Sequence, residues 1–265
     1  MESAVNEVRF PNSPRIDCPN CALSEWALPG LLTLNEARYF SEQLVHGRNV
    51  KRGEYAHHSG AALASLNVVN SGFLKSRITG RNGNFQITGF SMRGDMIGLD
   101  ALGFGIHQSD AIALQDTRLC GINCSRFEQL MRDIPTLQHV FLQKMGSEIA
   151  RGHKAMVSLG AMQASERMVQ FLLNLSNRFA MIGCSNVRFR LPMQRQEIGE
   201  YLGLKLETVS RLLSHLQELG AIAIYGKDIK ITSERKMWES IQAELPMQRG
   251  ARSHQTPSKS LKQVA

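Results

Sequence analysis

Met193 to Leu219 reads MQRQEIGEYLGLKLETVSRLLSHLQEL. Ile198 and Leu202 lie four apart, on one face of a short helix, and Gly203 then supplies the backbone freedom a tight turn needs. Helical spacing resumes at once. Leu206, Val209, Leu213 and Leu216 form an apolar stripe, while Glu207, Ser210, Arg211 and Ser214 fall at i, i+3, i+4 and i+7 on a polar stripe beside it. The Arg211 guanidinium can donate twice to guanine O6 and N7, and the Glu207 carboxylate can accept from cytosine N4; Ser210 is small enough to let the helix approach base edges. An amphipathic core helix with a solvated face would show the same stripe, so the flanking segments decide between the two readings.

The downstream segment AIAIYGKDIKIT, residues 221–232, places Ile222 and Ile224 before Gly226-Lys227-Asp228 and Ile229 and Ile231 after it, which predicts a β-hairpin. Packed behind two helices it makes a winged helix-turn-helix, with Lys227 and Lys230 available to touch phosphates without reading sequence. Lys205 stands where a Ser or Thr would cap the recognition helix. Upstream, Met162 to Ile182 is expected to be helical, with Met168, Phe171, Leu172 and Leu175 facing the motif; Glu234 to Leu245 is expected to be a final helix.

Pro135 opens a long helical tract, proline being suited to a first turn. Leu137, Phe141, Met145, Ile149, Met156 and Leu159 recur along one face, more apolar surface than one small domain needs. This predicts a dimerisation helix against a twofold mate, with packing inside its own chain as the alternative. Gly152 and His153 interrupt the seam and put no carboxylate there.

Between Val50 and about Cys124, glycines punctuate short strand-like runs such as Leu66 to Val69 and Gln86 to Phe90, which predicts an antiparallel β-roll or barrel. Phe90 to Gly103 breaks the alternation and marks a shaped loop. A short amphipathic helix is expected from Leu34 to about His46. The first thirty residues read as irregular apart from Cys18-Pro-Asn-Cys21. The expected architecture is α+β: a cysteine-bearing segment over 1–30, a jelly-roll-like antiparallel β-roll over 31–134, the dimerisation helix over 135–161, a winged helix-turn-helix over 162–240 and a disordered basic tail over 246–265.

The 265 residues carry a formal net charge of +8 with a pI near 9.5, which suits a polyanionic partner without naming it. No run of eighteen apolar residues occurs and the start is acidic rather than basic, so no membrane span is expected and a cytoplasmic location is. Five cysteines without a secretion signal argue against a disulfide framework. None of the eight histidines has a triad-like or metal-ligand spacing to a cysteine, and His57-His58 is expected to be solvated, so no enzyme is expected.

Taken in order, these parts resemble the cyclic-AMP receptor/FNR superfamily of bacterial transcription regulators, and within it the FNR branch. The similarity lies in Gln86 to Phe90, Gly94 to Gly98, Asn174 to Phe179 and Glu197 to Leu213, where Glu207-Thr208-Val209-Ser210-Arg211 is similar to the family's E-T-[IV]-S-R element. The resemblance implies a homodimer on a palindrome like TTGAT-N4-ATCAA, read by Glu207, Ser210 and Arg211, and activation through β-roll loops such as Arg81 to Phe85 touching RNA polymerase. Leu206 replaces an arginine of the cyclic-AMP receptor branch. Gln108-Ser109 stands where nucleotide-binding members carry Arg-Ser, and no glutamate occurs from Met96 to Gly103, so no cyclic nucleotide is expected.

FNR-type members sense oxygen through a [4Fe–4S] cluster on three N-terminal cysteines and one in the β-roll. Cys18, Cys21 and Cys120 resemble three of these ligands, while Ala27 occupies the position of another, and Cys124 is the nearby substitute. Three sensor chemistries remain open on these residues: an oxygen-labile cluster, a thiol switch or zinc on the same sulfurs, and a site with no cofactor in a constitutive dimer. Cys184 reads as a packed side chain.

Overall fold

The computed structural model describes residues 45–243, together with Glu36 and Tyr39, which are helical. Cys18, Cys21, most of the helix expected from Leu34, and the basic tail lie outside the described residues. Val45 and His46 belong not to that helix but to the first strand, β1 (Val45–Val50).

Seven further strands build the β-roll: β2 (Tyr55–His57), β3 (Ser65–Ser71), β4 (Phe73–Thr79), β5 (Phe85–Met92), β6 (Met96–Ile97), β7 (Asp110–Ala113) and β8 (Thr117–Asn123). They form two four-stranded antiparallel sheets, ordered β1-β8-β3-β6 and β2-β7-β4-β5. Val50, Val69, Ile97 and Leu119 of the first sheet meet Ala56, Leu74, Ala111 and Ala113 of the second in the buried layer between them.

Strand alternation sends the neighbours of Leu119 the other way. Cys120 and Ile122 join Leu66 and Val68 beneath α1 (Cys124–Asp133) and the start of α2 (Pro135–Ala161), with Phe127, Leu130, Leu137 and Phe141. Helix α1 was not anticipated from the sequence. The Asn123 side chain accepts from the Ser125 amide at 3.0 Å and caps it, a start signal masked by the glycine-rich run before it.

Along α2 the apolar face divides. Leu137 and Phe141, expected in an intermolecular seam, are buried against the chain's own β-roll. The outward seam is instead Leu142, Met145, Ile149, Gly152, Met156 and Leu159, alternating by three and four residues; Ile149 is 56% and Met156 63% exposed.

After an extended break at Met162 and Gln163, α3 (Ala164–Met181) leads to β9 (Arg188–Arg190), α4 (Arg195–Leu202), α5 (Leu206–Glu218), β10 (Ile222–Tyr225), β11 (Asp228–Ile231) and α6 (Glu234–Ala243). The wing has the expected register, Ile222 opposite Ile231 and Ile224 opposite Ile229. A third strand, β9, adds Phe189 opposite Ile229. Its three residues, Arg-Phe-Arg, are too short to give a periodic signal.

One core crosses from the β-roll into the C-terminal half. Phe73, Ile87, Phe90, Met92 and Leu114 pack with Met168, Phe171, Leu172, Ile198, Val209 and Leu213. Phe90 lies 6.1 Å from the Phe171 ring and 5.2 Å from Tyr201, centroid to centroid. Among the described residues, no helix is long and apolar enough to cross a membrane.

Candidate nucleic-acid interface and sensor site

The two short helices meet through a backbone contact the sequence only half revealed. Gly203 takes the left-handed conformation at φ 64°, as a turn after Leu202 requires. Gly199 matters as much: a Cβ there would sit 2.5 Å from the Leu204 carbonyl oxygen. Its absence lets the Leu204 amide donate to the Gly199 carbonyl at 2.9 Å and closes the turn. The Leu202 carbonyl, left over at the helix end, accepts from Arg167 of α3 at 2.7 Å.

Val209, Leu213 and Leu216 bury one face of α5. Leu206, expected to extend that stripe, is exposed, because it begins the helix beyond the edge of the core. Glu207 and Arg211 are exposed and Ser210 is half-buried on the adjacent face, so all three lie side by side on one solvent-facing stripe. Lys205 makes no side-chain cap, leaving the first amides of α5 without a side-chain acceptor from that position.

Sequence reading missed the neighbour of this stripe. Arg195, the first residue of α4, reaches across to donate to the Ser210 hydroxyl at 3.3 Å. The wing adds further cations. Arg188 and Arg190 are exposed on either side of buried Phe189, and Arg188 pairs across the ladder with Lys230. A polar reading stripe is thus accompanied by exposed basic side chains on α4 and on the wing.

The β-roll grips the same helices. Lys75 of β4 donates to Glu197 Oε1 at 2.7 Å, with the two side chains only 16% and 15% exposed. The other Glu197 oxygen accepts from the Gln194 amide at 2.7 Å in a capping box, so one carboxylate both starts α4 and ties it to the sheet. Gln86 of β5 donates to the Glu200 carbonyl. Arg178 of α3 donates to the Phe90 carbonyl at 3.0 Å and pairs with Asp95 in the turn between β5 and β6. All four segments that carried the family resemblance therefore meet at one joint.

Of the cysteines, Cys120 is buried and Cys124 half-buried in the one apolar cluster under α1. Burial, reinforced by the Glu128 carboxylate, pushes the Cys124 thiol above its ordinary value. Cys184 is exposed, correcting its expected packing, because it follows α3 in a turn outside the core.

Asp100, in the 3-10 turn Leu99–Ala101, turns toward the Gln108-Ser109 pair. Its Oδ2 accepts from the Gln108 amide at 3.0 Å and from the Ser109 hydroxyl at 2.8 Å. His57 is not solvated as expected: its ring stacks on that of His107, with centroids 3.7 Å apart and planes within 7°.

Comparison with known proteins agrees with this geometry. The cyclic nucleotide-binding domain family matches residues 47–133 and the Crp-like helix-turn-helix domain family matches residues 166–239. The transcriptional regulatory protein btr of Bordetella pertussis is 37% identical over 224 residues, 84% of this chain and 93% of that protein. The fumarate and nitrate reduction regulatory protein of Escherichia coli K12 is 37% identical over 216 residues, 82% and 86% of the two chains. The solved structure of FixK2 from Bradyrhizobium japonicum superposes with a TM-score of 0.67 at 28% identity, covering 73% of this chain and 95% of that one.

Proposed function

The chain belongs to the Crp/FNR superfamily of DNA-binding transcription regulators, and from that premise we propose that it acts as a homodimer reading a TTGAT-N4-ATCAA-like palindrome to activate genes of low-oxygen or redox adaptation. The observation that carries this reading is the stripe of α5 on which Glu207, Ser210 and Arg211 are presented together, beside the face that Val209, Leu213 and Leu216 bury. In this reading Arg211 donates to guanine and Glu207 accepts from cytosine; Arg195 holds Ser210 in place, and Lys227, Lys230, Arg188 and Arg190 lie against phosphates. The outward seam of α2 pairs with that of a second copy and sets the two recognition helices one helical turn apart. RNA polymerase would be met by the β4–β5 loop around Arg81 to Phe85. The matched relatives are regulators, and no catalytic step is assigned.

Binding of the palindrome by the purified chain, read by fluorescence anisotropy, tests this reading. Arg211→Ala is expected to lose discrimination between a matched half-site and one changed at its guanine. Equal losses on both would make Arg211 a phosphate contact instead.

For the signal, we propose an oxygen-labile [4Fe–4S] cluster held by Cys18, Cys21, Cys120 and Cys124. Support comes from the common cluster under α1, where Cys120 and Cys124 share an apolar surrounding that would shield such a group from water. When bound, the cluster supplies an oxygen-sensitive inorganic link between the N-terminal segment and the β-roll. Cyclic nucleotide is not proposed as the signal: Asp100 already takes the Gln108 and Ser109 donors, and a second anion would meet its charge. Anaerobic purification followed by iron and sulfide analysis is expected to find about four of each per chain. A colourless, metal-free dimer that still binds the palindrome would remove the cluster.

A further inference from the structure

We propose that the β-roll holds a second metal site, separate from the cysteines, in which His57, His107 and Asp100 bind one divalent transition ion of the zinc class. One ligand atom from each of the three lies within 4.8 Å of the other two. His107 Nδ1 is 3.8 Å from Asp100 Oδ1. The His107 side chain is only 6% exposed, and its Nδ1 is buried with no hydrogen-bond partner. A buried polar nitrogen left unpaired costs free energy that a bound cation would recover.

The surroundings have the organisation of a metal site. Asp100 uses Oδ2 for the Gln108 amide and the Ser109 hydroxyl, which fixes the carboxylate and leaves Oδ1 facing His107. Gly98, at φ 82°, lies directly against both rings: a Cβ on it would sit 2.7 Å from His107 Cε1 and 3.8 Å from His57 Cε1. Only glycine leaves room for the pair.

Two imidazoles and a carboxylate form a borderline donor set that suits zinc, cobalt or nickel rather than calcium or magnesium. Ligand atoms around tetrahedral zinc stand roughly 3.3 to 3.6 Å apart, given bonds of about 2.1 Å. The site must therefore close by about an ångström, and His57 must turn out of its parallel stack on His107, because an ion held by both rings lies in the plane of each. The side chains free to make that movement are His57 and Asp100, both part-exposed, while His107 stays fixed. Three ligands come from β2, from the 3-10 turn at Leu99–Ala101 and from the segment before β7, so an ion would clamp three separate parts of the β-roll and keep a fourth position for water or an anion.

The test is titration of the metal-free full chain with Co²⁺, followed by Zn²⁺ competition, in wild type and in His57→Gln, Asp100→Asn and Cys18→Ser/Cys21→Ser variants. Wild type is expected to bind cobalt with visible d–d bands of a low-symmetry nitrogen and oxygen site and no thiolate-to-cobalt charge-transfer band from this ion. His57→Gln and Asp100→Asn should each weaken it by about tenfold or more, while the cysteine variant keeps it. Metal-free His57→Gln should match metal-free wild type in its circular dichroism spectrum and thermal unfolding, which certifies its fold independently of the DNA reading. The proposal is overturned if wild type binds no such ion, if His57→Gln binds it unchanged, or if only the cysteine variant loses it.

Discussion

Helices α2 and α5 both leave a face open to water, and the two faces have opposite chemistry. Helix α2 offers Leu142, Ile149 and Met156 at seven-residue intervals, whereas α5 offers Glu207, Ser210 and Arg211. Apolar side chains gain about 1.5 to 3 kcal/mol each on full burial, so the α2 face is unsatisfied in water and calls for a permanent apolar cover. The α5 stripe is well solvated when alone and gives up that solvation only against a surface with matching donors and acceptors. In the proposed reading, the first face is covered by a second copy and the other only when DNA is bound.

This contrast can be broken in order of expected effect. Ile149→Glu in the seam would set like charges across the twofold axis and bury a carboxylate, and should weaken self-association by about a hundredfold or more. Sedimentation at micromolar concentration reads the result; a persistent dimer would place the interface elsewhere. Arg211→Ala should leave the dimer intact and cost about 1 to 3 kcal/mol on the matched palindrome alone. Lys75→Met, which removes the cation held by Glu197, should cost about 1 kcal/mol in chemical denaturation, because the pair is largely shielded yet the carboxylate keeps its Gln194 amide. Should stability stay unchanged, the sheet does not hold α4 through this pair. Lys230→Gln is the mildest: it should weaken matched and mismatched DNA alike and lower the salt slope by about one.

Much of α5 was legible because a helix with one buried face writes a period into the chain. Val209, Leu213 and Leu216 show that period, and the polar positions beside them follow from geometry. The wing was legible for the analogous reason, with a period of two around Gly226. What stayed hidden depended on contacts far apart in sequence. The division of α2 is invisible in its own spacing, since whether Phe141 or Leu142 faces a partner depends on where β3 and β8 lie. Arg195 near Ser210 was missed because a guanidinium on a short helix normally signals only solvation. His57 and His107 are fifty residues apart, and their stacking requires β2, the Gly98 turn and the segment before β7 to fold together. Adjacency to His58 suggested an exposed pair; His57 instead ends β2 against the His107 ring, while His58, past the strand, stays exposed.

The core that Phe90 and Ile87 share with Phe171, Leu172 and Ile198 makes the boundary between sensing and reading a matter of description rather than of mechanics. Neither half keeps this shared part of its apolar interior once the other unravels, so the two are expected to melt in a single calorimetric transition. A fragment cut at the break before Ala164 would carry the reading stripe but leave Phe171 and Tyr201 bare to water. In this molecule, the helix pair that presents Glu207 and Arg211 is held folded by strands of the β-roll.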